Sequence, residues 1–191
     1  MMTRTWAVGR ARLGRKVRTS GVVLMGLLLA SLSTSPGSVA VGEAAAGLRP
    51  PKAERVVVVK SERRLYLLTG GKVLGSYRVA LGREPKGTKI YQGDGRTPEG
   101  LYRITAFNPD SRFYRSIRVS YPNAQDLERA RALGEAAGGD IMIHGLAPER
   151  RQYGAEHWQF NWTDGCIAVT DREIDEIWQR VEIGTPIEIR P

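Results

Sequence analysis

The sequence predicts a mainly β domain with two α-helices packed on its sheets. Short runs of β-branched and aliphatic residues, bounded by Gly, Pro and polar residues, are typical of strands. Two other segments carry apolar residues at helical spacing. Because the strand candidates outnumber the helices and do not alternate with them, the pattern does not favour βαβ units.

Eight segments are strand candidates. The pair Gly70-Gly71 separates the second from the third and indicates a hairpin turn. Residues 82–100 are rich in Gly, Pro and charge, so they predict a long loop of the kind that often carries function. The strand candidates are residues 55–60, 64–69, 72–81, 101–107, 116–121, 141–144, 166–170 and 185–190.

The stronger helix prediction begins at Thr170, which forms a capping box with Glu173. Its apolar residues share one face, and Gly184 is its expected end. These apolar residues are Ile174, Ile177, Trp178 and Val181.

A weaker helix is predicted over residues 126–137, after Asn123 and before Gly138-Gly139. Its inward residues are expected to be Leu127, Ala130 and Leu133.

The positive charge is concentrated at the N-terminus. The chain has a net charge of +9, and its first 40 residues hold six basic and no acidic side chains. The rest of the chain is therefore only mildly basic, which argues against a nucleic-acid partner. The uncharged apolar run 21–33 follows the basic stretch, and Ser38-Val39-Ala40 or Ala44-Ala45-Ala46 offers a cleavage site.

Residues 1–40 are therefore expected to be a signal peptide, with an uncleaved membrane anchor as the open alternative. Residues 41–53 read as a linker and residues 54–191 as the folded domain. The predicted location is exported, in the periplasm or cell envelope, and any membrane contact is expected only through the N-terminal segment.

Cys166 is the only cysteine in the chain, so it has no internal disulfide partner. A thiol attacks as thiolate and needs a base beside it. His144 ends one apolar strand candidate before Gly145, and Cys166 begins another after Gly165. If the two strands are neighbours, imidazole and thiol come within reach for nucleophilic catalysis, and nearby backbone N–H groups can hold an oxyanion.

Other interpretations remain open at this point. Cys166 is also compatible with a small apolar core residue, and His144 with a hydrogen-bonded structural residue. His157 lies in an aromatic segment that reads as an exposed loop. A zinc site built from His144, His157 and Cys166 is conceivable, although it lacks the paired spacing of structural zinc sites.

Two motifs resemble those of a known family, the L,D-transpeptidase catalytic domain of the YkuD type. His144-Gly145 is followed, after residues 146–162, by Thr163-Asp164-Gly165-Cys166, and the upstream TPxG motif stands as Thr97-Pro98-Glu99-Gly100. The surrounding segments GDGRTPEGLYRI, FYRSIRVSYPN, IMIHG and DGCIAVTDREIDEIW are similar to the branch called YafK-like. The resemblance covers residues 54–191 and implies sandwich-like or barrel-like sheets.

The resemblance implies Cys166 as nucleophile and His144 as base, with Gly165, Gly145 and Thr163 forming the oxyanion loop. Many family members carry His or Ser at the position of Asp164, and an arginine that helps to hold substrate at the position of Ala168. The departure at Ala168 leaves the substrate contact open. The candidates for it are Arg96, Arg112 and Arg115.

The resemblance further implies acyl transfer on peptidoglycan stem peptides, without a metal or organic cofactor. A tetrapeptide donor would form a thioester on Cys166, which passes to an amine acceptor or to water. A wall-anchored lipoprotein is a possible partner. A hydrolase on the same site and a non-catalytic wall-binding module are the alternatives.

Overall fold

The computed structural model describes residues 49–191 of the chain. The predicted signal peptide or anchor, and all but the end of the predicted linker, lie outside the described residues. Among residues 49–191, no helix combines the length and apolarity needed to span a membrane. The elements are β1 (Arg55–Val59), β2 (Arg64–Thr69), β3 (Lys72–Arg78), β4 (Gly100–Ser111), β5 (Tyr114–Val119), α1 (Ala124–Ala132), β6 (Met142–His144), a 3-10 segment (Pro148–Gln159), β7 (Ile167–Ala168), α2 (Asp171–Arg180) and β8 (Pro186–Arg190).

The predicted hairpin is confirmed. β2 and β3 pair antiparallel on either side of Gly70 and Gly71. These glycines have φ values of 51° and 74°, in the left-handed region that a two-residue hairpin turn requires and that glycine adopts without a Cβ clash.

The strands form one eight-stranded sheet in the order β3-β2-β1-β8-β4-β5-β6-β7. The β1–β8 and β6–β7 pairs are parallel, and the remaining pairs are antiparallel. The chain beyond β3 returns to the opposite edge, where Ala80 pairs with Ala168 and Gly82 with Thr163. The sheet therefore curls into a closed, barrel-like shape, which agrees with the predicted mainly β class.

The core lies between the curled sheet and α2. The predicted capping box of α2 is present, and Ile174 and Ile177 on its inner face are fully buried. Trp178 packs edge-on against Phe107, with ring centroids 4.7 Å apart. Burying each large aliphatic side chain contributes roughly 1.5–3 kcal/mol. Strand residues of this core include Val56, Val58, Leu65, Leu67, Ile117, Ile143, Ile167, Ile187 and Ile189.

Both helices are shorter than predicted. α2 ends at Arg180, four residues before Gly184. α1 ends at Ala132, because the chain turns at Gly134 with φ of 73°.

The predicted inner face of α1 is also wrong. Leu127 and Leu133 are 47% and 59% exposed, and only Ala130 of the three expected residues is buried. Asp126 is buried in their place. Its carboxylate accepts from the Asn123 amide and from the Tyr102 hydroxyl, at 2.9 Å each, so helix capping rather than leucine burial fixes the orientation of α1.

The long loop 82–100 is ordered around Asp94. Its carboxylate accepts hydrogen bonds from the backbone amides of Ile90 and Arg96, at 2.7 and 3.0 Å, and from the ammonium group of Lys89 at 2.8 Å. Burial by itself would raise the pKa of Asp94, but these hydrogen bonds hold that pKa below its usual value. The loop is consequently a fixed platform, and its Arg96 carbonyl lies directly against Gly165.

Candidate active site

Strand pairing brings the two predicted reactive residues to the same end of the sheet. β6 and β7 are parallel, with Ile143 opposite Ile167 and His144 opposite Ala168. The Val169 amide donates to the His144 carbonyl at 2.9 Å and extends this register. Cys166 immediately precedes β7, and its side chain and that of His144 line one cavity of about 340 Å³.

The imidazole of His144 is fixed by aromatic packing. Its ring stacks on Phe113 at 4.3 Å between centroids and meets Trp162 edge-on at 5.7 Å. Nδ1 lies 2.7 Å from the Gly145 carbonyl oxygen. Because a carbonyl only accepts, Nδ1 carries the proton in the neutral ring and Nε2 has the free lone pair. The carbonyl that orients His144 is thus that of Gly145.

The imidazole is a neutral base at physiological pH. Burial lowers the pKa of His144 to about 4, and the positive charge of Arg112 lowers it further, while the Gly145 hydrogen bond opposes the shift.

The thiol of Cys166 points to the backbone rather than to the imidazole. Sγ donates to the Asp140 carbonyl oxygen at 3.4 Å, and it makes no hydrogen bond to His144 in the structure of residues 49–191. Burial raises the pKa of Cys166 to about 11, and the nearby Asp164 and Asp140 carboxylates oppose ionisation as well. The resting pair is therefore neutral thiol and neutral imidazole, not a preformed ion pair.

The turn before Cys166 is held by Thr163. Its hydroxyl donates to the Cys166 carbonyl at 2.7 Å and accepts from the Gly165 amide at 3.2 Å. Gly165 has φ of 126°, and a Cβ there would lie 2.6 Å from the Arg96 carbonyl oxygen. Only glycine fits this position without moving the loop, which explains the Gly-Cys sequence.

The amides near the thiol differ in availability for an oxyanion. Gly165 donates to the Thr163 hydroxyl, and Gly145 donates to the Arg115 carbonyl at 3.1 Å. The Cys166 amide makes no hydrogen bond to any other residue between 49 and 191. Of these three amides, that of Cys166 is the one free to bind a developing negative charge.

The three arginine candidates are placed differently. Arg112 lines the cavity with His144 and Cys166. The Arg115 guanidinium instead pairs with Asp175 at 2.8 Å, and Arg96 faces the site only with its backbone carbonyl.

His157 is buried rather than exposed as the sequence suggested. It is 2% exposed, and neither ring nitrogen has a hydrogen-bond partner within the described chain. Burial lowers its pKa to about 4. His157 does not line the cavity of His144 and Cys166, and no group of three His, Cys, Asp or Glu side chains suited to a metal occurs between residues 49 and 191.

Several residues of the site were not predicted from the sequence. Phe113, Trp162, Glu149 and Arg150 line the cavity of His144 and Cys166. They come from the turn between β4 and β5, the 3-10 segment and the chain after it. Their only sequence signal is an aromatic or charged residue in a connecting segment, which does not reveal the contact.

Cys166 also lines a second cavity, of about 450 Å³. It shares Cys166 and Asp164 with the first cavity but does not include His144. Its charged and polar lining comes from Arg83, Lys89, Gln92, Asp140 and Asp164. Cys166 thus borders two cavities, and one of them contains the imidazole.

Comparison with known proteins identifies a family model that matches this chain. Residues 53–189 match the YkuD model, described as the L,D-transpeptidase catalytic domain. The chain is 34% identical over 166 residues to an Escherichia coli (strain K12) protein named "Putative L,D-transpeptidase YafK", covering 84% of this chain and 58% of that protein. It is 29% identical to "Putative L,D-transpeptidase YqjB" of Bacillus subtilis (strain 168), covering 70% of this chain and 69% of that protein.

A solved structure gives a similar fold. The helical cell shape determining protein Pgp2 of Campylobacter jejuni superposes with a TM-score of 0.51 at 25% identity, over 70% of this chain and 46% of that one. Its K307A mutant gives 0.53 at 23% identity, over 75% and 48%. The chain therefore spans about half the length of these solved proteins and somewhat more of the Escherichia coli relative.

Proposed function

Because this chain belongs to the YkuD family of L,D-transpeptidase catalytic domains, we propose that it is a cysteine acyltransferase acting on peptidoglycan stem peptides. The observation that carries the proposal is the cavity shared by the Cys166 thiol and the His144 imidazole. Acyl transfer needs a nucleophile, a base and an oxyanion donor. This cavity offers the first two, and the free amide of Cys166 offers the third.

The first step is attack by sulfur on a peptide carbonyl. Sγ turns from the Asp140 carbonyl towards His144, whose Nε2 takes the thiol proton as the S–C bond forms. Because the resting thiol has a raised pKa, this transfer takes place during attack rather than before it. The Cys166 amide binds the negative oxygen of the tetrahedral intermediate.

The second step is loss of the amine. The C–N bond breaks, and the His144 imidazolium gives its proton to the leaving nitrogen, so the products are a thioester on Cys166 and a free amine. The low pKa of His144 favours this donation, since its cation is a strong acid.

The third step is transfer of the acyl group to an acceptor. An amine or water attacks the thioester, and neutral His144 accepts its proton. The C–S bond then breaks, and the His144 imidazolium returns the proton to Sγ, which restores the Cys166 thiol and the neutral imidazole. An amine of a second stem peptide gives a cross-link, an amine of a wall-anchored lipoprotein gives attachment, and water gives hydrolysis. The residues on this path supply acid, base and nucleophile, so the chemistry calls for no cofactor or metal.

We propose that the protein acts outside the cytosol. The basic and apolar leader in residues 1–40 supports export, and the substrate is in the cell envelope. We propose residues 54–191 as the catalytic domain.

The reaction is tested with purified protein and a tetrapeptide muropeptide, with and without an added amine acceptor. Mass analysis of products separates transfer from hydrolysis, because transfer adds the acceptor mass and hydrolysis adds water. Formation of the amine adduct supports the transferase. Product formed with water alone, even with amine in excess, would replace it with the hydrolase, and absence of any product with a folded protein would favour a wall-binding module.

A further inference from the structure

Two arginines in the imidazole-containing cavity have no carboxylate partner. Arg112 and Arg150 both line the cavity of His144 and Cys166, and neither forms an ion pair with a described residue. The two acidic side chains of the cavity do not neutralise them. Asp164 is paired with Arg83, and Glu149 is exposed and makes no ion pair among these residues.

Both guanidinium groups lie over aromatic rings. Arg112 lies over Phe113 at 4.6 Å from the ring centroid, and Arg150 lies over Trp162 at 5.8 Å. These two rings also flank His144. Each guanidinium therefore contacts a ring that also packs against the general base.

The same wall has a further unsatisfied donor. The indole Nε1 of Trp162 is buried and has no hydrogen-bond partner within the described residues. Because this nitrogen is enclosed by protein atoms, the guanidinium groups of Arg112 and Arg150 are the donors that a group bound in the cavity can reach.

The other cavity differs in its charges. Its two cations are already neutralised, since Lys89 pairs with Asp94 and Arg83 with Asp164. Of the cations that line the two cavities, Arg112 and Arg150 are therefore the ones without a carboxylate partner, so a bidentate contact to an anionic group is available in the cavity that contains the imidazole.

The proposed reaction indicates which part of the substrate each of the two cavities holds. His144 must reach the leaving nitrogen, so the leaving group occupies the cavity that contains the imidazole. In a carboxyl-terminal amino acid the carboxylate lies two bonds from that nitrogen. Arginine is the side chain that best matches a carboxylate, because its planar N–H groups bind both oxygens.

We propose that Arg112 and Arg150 bind the free α-carboxylate of the leaving amino acid. The donor is then cut one residue from its carboxyl terminus, and the retained acyl part extends towards Arg83 and Gln92. This inference rests on the proposed acyl transfer at Cys166 and adds the residues that select its substrate. It also explains how the chain holds a carboxylate although the fully buried Ala168 provides no cation on β7.

The test compares two peptides that differ only at the carboxyl terminus. A stem tetrapeptide with a free terminal carboxylate and the same peptide as carboxamide are titrated by calorimetry against Cys166→Ala protein, which cannot turn them over. We expect the acid to bind roughly tenfold to a hundredfold tighter, the value of a charge-assisted hydrogen bond. Arg112→Ala and Arg150→Ala should each reduce this preference, and Arg112→Lys should retain part of it.

Arg172→Ala is the matched control. Arg172 lies on α2 with 90% of its side chain exposed, so its removal changes the net charge equally without touching the site. Equal dissociation constants for acid and amide, no binding of either peptide, or a preference retained in the Arg112→Ala/Arg150→Ala double variant would overturn the inference.

Turnover by the protein with its native thiol separates this inference from the proposed function. Carboxylate-selective binding without any product would leave the arginine site standing and remove the acyl transfer. Turnover of the acid and the amide at equal KM would support the acyl transfer and remove the arginine site. Where both hold, the Arg→Ala variants raise KM for the acid with a smaller effect on kcat, whereas misfolding would lower the melting temperature.

Discussion

The Cys166 thiol donates to the Asp140 carbonyl oxygen at 3.4 Å, so in the resting site the backbone, not His144, holds the sulfur. Together with the raised pKa of about 11 for Cys166 and the lowered pKa of about 4 for His144, this contact defines a neutral resting pair.

The neutral pair predicts how the thiol reacts with an alkylating agent. Because only the thiolate is alkylated, the rate with iodoacetamide should rise steadily from pH 7 to pH 10, and it should change little in His144→Ala. The measurement is the rate of adduct formation by intact mass. A plateau at or below pH 8 that disappears in His144→Ala would indicate a preformed thiolate–imidazolium pair and contradict this account.

Asp164 is expected to tune the ionisation of the thiol. Its negative charge raises the pKa of Cys166, and the ion pair with Arg83 partly screens that charge. Asp164→Asn should therefore shift the alkylation profile to lower pH, and Arg83→Ala should shift it to higher pH. Both shifts should be small, a few tenths of a pH unit, and should shrink at high salt because the pair is exposed.

Glu182→Gln is the control, since Glu182 pairs with Lys52 and is not among the groups that shift the thiol pKa. Shifts in the same direction for Asp164→Asn and Arg83→Ala would show that charge is not their cause.

The two buried histidines predict a loss of stability on acidification. His144 and His157 have folded pKa values of about 4, below the usual 6.5 of the unfolded chain. Between pH 4 and 6.5 the unfolded chain therefore binds more protons, so the free energy of unfolding falls as pH decreases through this window. Each histidine accounts for on the order of 3 kcal/mol at most by pH 4. Protonation of Asp94 lowers the free energy of unfolding only at more acidic pH than this window, because the folded pKa of Asp94 is below its usual value.

Urea unfolding at a series of pH values checks this prediction. His157→Gln removes one titrating group and should reduce the slope between pH 6.5 and 4.5, even if it lowers stability overall. A slope unchanged by this variant would mean that His157 does not titrate at a lowered pKa.

Position 165 is expected to tolerate no side chain. Gly165→Ala places a Cβ 2.6 Å from the Arg96 carbonyl and forces an unfavourable backbone conformation at φ of 126°. We expect a loss of about 1–3 kcal/mol in the free energy of unfolding, with displacement of the Thr163–Cys166 turn. Gly139→Ala is the control, because that residue has no atom within 4 Å of the added Cβ. Equal melting temperatures for the two variants would contradict the role given to Gly165.

The parts of the fold that sequence predicts are those set by local chemistry. The hairpin turn at Gly70-Gly71 and the start of α2 at Thr170 can be predicted from the sequence, because these residues determine the turn and the helix start locally. The sequence does not predict the parallel pairing of β6 and β7, because residues 145–166 between them give no signal of which strands become neighbours. The inner face of α1 was misread, because the pairing of Asp126 with Asn123 outweighed the leucine pattern.

The residues of the candidate site also fall into those that the sequence predicts and those that it does not. His144, Cys166 and the adjacent glycines stand out in sequence, since His144 ends a predicted strand before Gly145 and Cys166 begins one after Gly165. Phe113, Trp162 and Arg150 do not, because they come together around the cavity of His144 only after three connecting segments converge.

Detection of the acyl-enzyme tests the central claim most directly. A tetrapeptide muropeptide donor is mixed with wild-type protein, Cys166→Ala and His144→Ala, and the products and protein masses are followed while circular dichroism confirms folding. The account predicts a transient adduct of the acyl mass on Cys166 and turnover in the wild type, with no adduct in Cys166→Ala and no turnover in either variant. Turnover that persists in folded Cys166→Ala or His144→Ala would contradict it.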